Sequence, residues 1–366
     1  MGLTAVGNNL LGSGRSLPQS GRTLIGSGRA LIGSGRTRRD FMRMMGFAPL
    51  GYYLLRTTKL ATMNLQTFYV GTYTNGDSEG IYQCRMNTET GALEVVGTTG
   101  DIANPSFLAV DPNGNHLYSV SETSEYEGES GGGVYAYAID GESHALRALN
   151  ARPSHGGAPC YISVSPGGGH VLVANYSGGN VAILPIESDG SLSPASDIEQ
   201  HEGSSINEQR QAGPHAHCII TDAAGRRAFA ADLGIDRVIV YRLDSGELTP
   251  AGHAVLAAGA GPRHITFNPD ESRAYVINEL DSTVTAFEYD GDTLEEAQTI
   301  GTLPEGFDGE NSTADIHVSS DGRFVYGSNR GHDSIVVFSI DVQSGLLTPT
   351  GHQLAVPTPV CVRFLT

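Results

Sequence analysis

The feature that most restricts this chain is an internal repeat. Segments opening at Pro105, Pro159, Pro214, Pro262 and Thr313 can be laid over one another, at spacings of 54, 55, 48 and 51 residues. They read PSFLAVDPNGNHLYSVSE, PCYISVSPGGGHVLVANY, PHAHCIITDAAGRRAFAAD, PRHITFNPDESRAYVINE and TADIHVSSDGRFVYGSNR. Each is a strand, a turn bearing Gly, Asp or Asn, and a second strand. A Val-rich third strand follows (VAILPI, VIVYRL, VTAFEY, IVVFSI), then a -DG- or -SG- turn and a weaker fourth strand. Four antiparallel strands repeated at this period predict an all-β fold, a β-propeller of four-stranded blades. The 48 glycines agree with many tight turns. No helical period of adequate length separates the strands, which argues against a parallel sheet.

The two ends of the repeat explain each other. The first unit, TFYVGTY to ALEVVG, has three strands and no Pro-led first strand. The last stretch, TPVCVRFLT, is a first strand with nothing after it. Pairing the N- and C-terminal strands would complete one blade and close the ring, removing two exposed sheet edges. Five full units and this composite give six blades, so residues 65–366 read as one domain. In a propeller the first strand of each blade lines the central channel, so chemistry is expected on the Pro-led strands and the loops beside them.

Residues 1–36 precede this domain and are expected to be disordered. Residues 10–37 form four heptads, LLGSGRS, LPQSGRT, LIGSGRA and LIGSGRT, too poor in apolar positions to hold a helix. Residues 37–64 follow as a signal-like segment. TRRDFMR resembles a twin-arginine export signal, and the apolar run MMGFAPLGYYLL suits the core of a signal better than a membrane span. A genuine signal predicts a periplasmic or exported protein; otherwise the cytoplasm is expected. No stable membrane insertion is expected.

Charge divides along the same line. Residues 1–60 hold nine of the 22 basic residues and one of the 40 acids, leaving 13 basic and 39 acidic residues, a formal −26, for the rest. Such a body repels nucleic acid. Its basic residues are all Arg, since Lys59 is the only lysine. A saline cytoplasm and GC-rich codon usage explain this equally well. Cys84, Cys160, Cys218 and Cys361 form no CxxC pair, so neither a disulfide framework nor a zinc site is expected.

GAGPRHITFNPDESRAYVINELDSTV, NSTADIHVSSDGRFVYGSNRGHDSIVVF, VANYSGGNV and VPTPVCVRF closely resemble the lactonase family of β-propellers, which includes propeller-type 6-phosphogluconolactonases and carboxy-muconate lactonizing enzymes. The resemblance runs from about residue 67 to the end. That family is normally seven-bladed, whereas six blades are countable here: the IVVFSIDVQSGLLTPTG unit runs directly into the terminal strand.

The resemblance implies a site at the His of GPHxH, the Arg of GPRH, the Glu of NEL and the Arg of SNR. Here these are His215, Arg263, Glu279 and Arg330. It implies hydrolysis of a sugar lactone, most like 6-phosphogluconolactone. Glu279 or His215 would activate water, while Arg263 and Arg330 would hold an anionic group and stabilise the developing oxyanion. Asn175, Tyr176, His264 and Asp315 are secondary candidates for substrate binding.

Each residue has a plainer reading. His215 and His217 alternate as on one strand face, which suits a metal pair, but no third ligand stands near in sequence; no metal or other cofactor is expected, and His217 is read as structural. Arg263 and Glu279 could be a structural ion pair, and Arg330 a loop cap. A monomer acting on a small anionic lactone is the leading expectation. Cycloisomerisation of a carboxylated muconate or lactone, and a non-catalytic ligand-binding propeller, are the alternatives.

Overall fold

In the computed structural model, residues 65–356 and Pro359 are described. The heptads, the twin-arginine-like segment and the proposed closing strand near the C-terminus lie outside the described residues. The described residues form six radial antiparallel sheets, five four-stranded and one three-stranded, and contain no α-helix. In each sheet the strands pair in order of sequence, as expected for propeller blades.

The first blade holds Leu65–Val70, Ile81–Asn87 and Leu93–Thr99. The second has a short inner strand, Leu108–Val110, then His116–Ser121, Gly133–Ile139 and Leu146–Pro153. Inner strands of the next four are Pro159–Val164, Ala216–Thr221, Pro262–Phe267 and Ser312–Val318. Their second strands are His170–Asn175, Arg227–Asp232, Arg273–Asn278 and Phe324–Arg330. A two-stranded hairpin, Glu125–Tyr126 with Glu129–Ser130, projects from the second blade.

The core is a series of slabs between neighbouring sheets. Ile81, Leu117 and Tyr137 pack together where the first two blades meet. Tyr118, Ile162 and Leu184 fill the next slab; Phe229, Tyr241 and Phe287 belong to the largest; and Tyr275, Ile277 and Phe338 join the last two blades. Second and third strands read as continuous apolar runs because both their faces are covered. HVLVAN and NVAILP, for example, are buried over five consecutive residues each. Fourth strands lie at the outer edge and are largely exposed, as in Glu247–Val255 and Leu347–Ala355.

Candidate functional site

The site begins with an irregularity repeated in four blades. Each inner strand pairs its first residues with the end of the second strand: Pro159 with Asn175, Ala216 with Asp232, Pro262 with Asn278, and Thr313 with Asn329. Directly after that pair the register slips. The residues taken up in the slip are Cys160, His217, Arg263 and, in the last blade, Ala314 with Asp315. A β-bulge bends the strand and re-aims side chains, and here it does so at one end of the channel in successive blades.

This register corrects the sequence overlay. The inner strand of the fourth blade starts at Ala216, two residues later than Pro214. His217, read as structural, is therefore the counterpart of Arg263. His215 lies before the strand, so the two imidazoles do not share a strand face.

The residues that close or follow the second strands supply the rest of this mouth: Glu122, Tyr176, Glu279 and Arg330, with Leu233 buried at the same place in the fourth blade. The residue before each is buried and tied into the frame. Asn175 donates its amide to the Ser154 carbonyl oxygen (2.9 Å). Asp232 accepts from the backbone N–H groups of His215 (2.7 Å) and Gly234 (2.9 Å), and its other oxygen lies 2.6 Å from His201 Nδ1. Asn278 donates to Thr283 and Thr285, and Asn329 accepts from Thr302. Asn175 is 0% exposed, so it anchors Tyr176 and has no surface to offer a ligand, unlike its expected role in binding.

Glu279 is the hub. Its Oε1 accepts from Arg210 Nη2 (2.6 Å), and its Oε2 lies 2.9 Å from Arg330 Nη2 and 3.1 Å from Arg263 Nε. Burial pushes this carboxyl up, but Arg263, Arg330 and Arg210 together overcome burial and hold it below the usual carboxylate range. Three guanidiniums around one carboxylate leave a local excess of positive charge within an acidic body. Arg263 also donates Nη1 to the Ala314 carbonyl oxygen (2.5 Å), and Arg330 donates Nη2 to that of Thr313 (2.9 Å). Neither Arg263 Nη2 nor Arg330 Nη1 makes a hydrogen bond among the described residues, so donors remain for a ligand.

Arg210 was not singled out in the sequence. It sits in the loop between the third and fourth blades, bonds Tyr176 Oη (3.1 Å) as well as Glu279, and is partly exposed. Loops carry no periodicity that would flag it. The one available signal was scarcity, since only 13 basic residues serve the chain beyond residue 60.

His215 stacks on Tyr176, with ring centroids 4.5 Å apart and planes 13° from parallel. Its Nδ1 lies 2.9 Å from the Tyr176 carbonyl oxygen. A carbonyl only accepts, so Nδ1 carries the proton in the neutral ring and Nε2 keeps its lone pair. His217 is buried, with Nε2 3.9 Å from Glu279 Oε2 and Nδ1 3.6 Å from Cys160 Sγ. Burial, reinforced by Arg263 and His264, pushes its imidazole well below the usual histidine value.

His264 and Asp315 form a second, deeper group. His264 Nδ1 lies 2.9 Å from Asp315 Oδ1, and His317 Nε2 lies 3.1 Å from Oδ2. On its other side, His264 Nε2 is 3.2 Å from Arg263 Nη1. Burial, then Arg263, lowers His264 to about 4. Both His264 and Asp315 are buried, and His264 braces Arg263 through its Nη1. Among the described residues no cluster of three or more His, Cys, Asp or Glu could hold a metal ion. A cavity of about 1140 Å³ opens at the far ends of the inner strands, against Leu65–Tyr69, Val164 and Thr221. None of the polar groups described above lines it.

Comparison with known proteins agrees with this architecture. Residues 67–356 match the family described as lactonase, seven-bladed β-propeller. The 6-phosphogluconolactonase of Bacillus subtilis strain 168 is 43% identical over 282 residues, covering 76% of this chain and 79% of that protein. The solved structure of a periplasmic gluconolactonase from Pseudomonas aeruginosa superposes with a TM-score of 0.73 at 34% identity, over 80% of this chain and 83% of that one. A Lactobacillus plantarum protein gives the same TM-score at 32% identity, over 80% and 82%.

Proposed function

Because this chain belongs to the seven-bladed β-propeller lactonase family, we propose that it hydrolyses the lactone of an anionic sugar acid, with 6-phosphogluconolactone the leading candidate. The observation that carries this reading is the convergence of Arg210, Arg263 and Arg330 on Glu279, joined through Tyr176 to an imidazole with a free Nε2.

A lactone is an activated ester, so a positioned water suffices as nucleophile. Nε2 of His215 takes the water proton as the oxygen attacks the carbonyl carbon, and the carbonyl oxygen becomes an oxyanion. Guanidinium donors of Arg263 and Arg330 stabilise that charge, which in a partly dry site is worth more than in water. Collapse breaks the ring C–O bond. The imidazolium then returns its proton to the departing alkoxide, leaving the open-chain acid. Glu279 is poorly suited to be the base, because three arginines stabilise its ionised form. It aligns the guanidiniums instead, and Arg210 stays free enough to meet the substrate's phosphate or carboxylate.

Removing a general base costs roughly 10²- to 10⁴-fold. His215→Gln should therefore lose at least about 10²-fold in kcat on 6-phosphoglucono-δ-lactone and glucono-δ-lactone, followed by lactone disappearance. Undiminished turnover in that variant would remove His215 from the mechanism.

We also propose export by the twin-arginine route, on the strength of TRRDFMR and in line with the periplasmic setting of the Pseudomonas relative. An unphosphorylated sugar lactone then becomes the more accessible substrate. A reporter carrying residues 37–64 that stays in the cytoplasm would count against it.

A further inference from the structure

Opposite the arginines, the mouth has an acidic counterpart. Glu122 follows the second strand of the second blade, in the place that Glu279 holds in the fifth. No arginine among the described residues pairs with it. Its Oε2 accepts from Ser106 Oγ (2.5 Å) and from Tyr73 Oη (2.8 Å), and Oε1 accepts nothing among the described residues. Tyr73 is 53% exposed, so this group stands at the open rim.

Its neighbours connect it to the site. Ser106 precedes Phe107, which stacks on Tyr161 (4.2 Å between centroids) and lies edge-on to His264. Cys160, beside Tyr161, lies 3.6 Å from His217 Nδ1; burial raises its thiol well above the usual value, and the charges of Glu122, Arg263 and Glu279 also act on it. Glu122 and Arg263 also act together, with opposite sign, on the Tyr73 phenol. Glu122 and Glu279 also hold the same place, directly after the second strands of their blades, so both stand at this end of the channel.

The loop that brings Tyr73 there is built in. Thr72 N–H donates to the Pro105 carbonyl oxygen (3.0 Å) and Thr74 N–H to Asn104 Oδ1 (2.9 Å). Gly71 permits the approach, since a Cβ there would sit 2.3 Å from the Pro105 oxygen. The first blade thus contributes to the mouth through this loop.

We propose that Glu122, with Ser106 and Tyr73, is the hydroxyl-recognition side of the site, and that it selects lactones bearing ring hydroxyls over bare lactones. A carboxylate with a free oxygen accepts from one or two adjacent hydroxyl groups, while the Ser and Tyr hydroxyls can donate to or accept from others. Cations on one side and an acceptor group on the other suit a ligand that is anionic at one end and polyhydroxylated along its length. This rests on the lactonase reading above and names its substrate class.

Two measurements test it. The first is the ratio of kcat/KM for glucono-δ-lactone over δ-valerolactone. Loss of a charged hydrogen bond is worth about 10- to 100-fold in binding, so this ratio should fall by that amount in Glu122→Gln and by less in Tyr73→Phe. Arg263→Ala should depress both substrates together. The second is calorimetric binding of D-gluconate, which does not depend on turnover. Affinity should weaken at least tenfold in Glu122→Gln, with an unchanged melting temperature to show that the fold is intact. A preference within twofold of the parent overturns the proposal, and so does gluconate binding that is undetectable in the parent protein or equal in the variant. His215→Gln with full activity would refute the base assignment alone and leave the two Glu122 measurements standing.

Discussion

A carboxylate among three guanidiniums does little as a base and much as a template. Removing Arg210 leaves Glu279 with Arg263 and Arg330, so the fold should survive while substrate grip weakens. Arg210→Met is expected to lower kcat/KM about 10²-fold on an anionic lactone, and much less on a neutral one; equal losses on both would contradict the anion-binding role. Acid sensitivity should come from the deeper group. His264 is held to about 4 by burial and by Arg263, against about 6.5 in an unfolded chain. The unfolded state therefore binds its proton first as pH falls. The stability that this histidine contributes is complete above pH 6.5 and is lost between there and about pH 4, to the extent of roughly 3 kcal/mol; His217 acts in the same direction. Melting temperatures taken from pH 7.5 to 4.5 should drop steeply in the parent and less steeply in His264→Gln. Parallel curves would show that His264 is not responsible. At this scale the sequence was partly legible. Arg263, Glu279 and Arg330 carry motifs and meet as expected. Arg210 does not, because a loop residue is placed by the chain's path and not by a period, and Glu122, just after a strand, stands in no motif that would mark it.

Strand order was readable because alternation and turn residues are local properties, and they predicted the five Pro- or Thr-led units. Register was less so. Pro214 looks like Pro262, but the fourth blade starts at Ala216, since Asp232 is engaged by the His215 and Gly234 amides and the preceding loop lies against it. A bulge shifts a side chain by one place without altering composition, so overlaying sequences cannot reveal it. The same corner yields a prediction. A Cβ on Gly234 would fall 2.0 Å from the Gly213 oxygen and 2.8 Å from the His215 nitrogen. Overpacking against backbone costs about 1–3 kcal/mol, so Gly234→Ala should lower stability by that amount in denaturant titration. It should also reduce kcat, because the chain that yields is the one holding His215. A variant with full stability and full kcat would mean that the loop is not packed as described.

The molecule as a whole carries 39 acids against 13 arginines beyond residue 60. Self-repulsion of that size is screened within a Debye length of about 3 Å at molar salt. Melting temperature should therefore rise by several degrees from dilute buffer to molar KCl, and a flat response would dismiss the surface charge as a determinant of stability. The ring differs from its family in having six sheets among the described residues where seven are the rule. The polar groups at the mouth come from the blades that are present, which is why the site assembles regardless. One regularity of that mouth has an evolutionary consequence. Glu122, Tyr176, Leu233, Glu279 and Arg330 occupy the same station in five successive blades, each next to a residue that fixes the frame. Selection can therefore exchange one station at a time and alter what is recognised without rebuilding what stands beneath it. Leu233, the single apolar member, is fully buried, so at that station the variable position has itself become part of the frame.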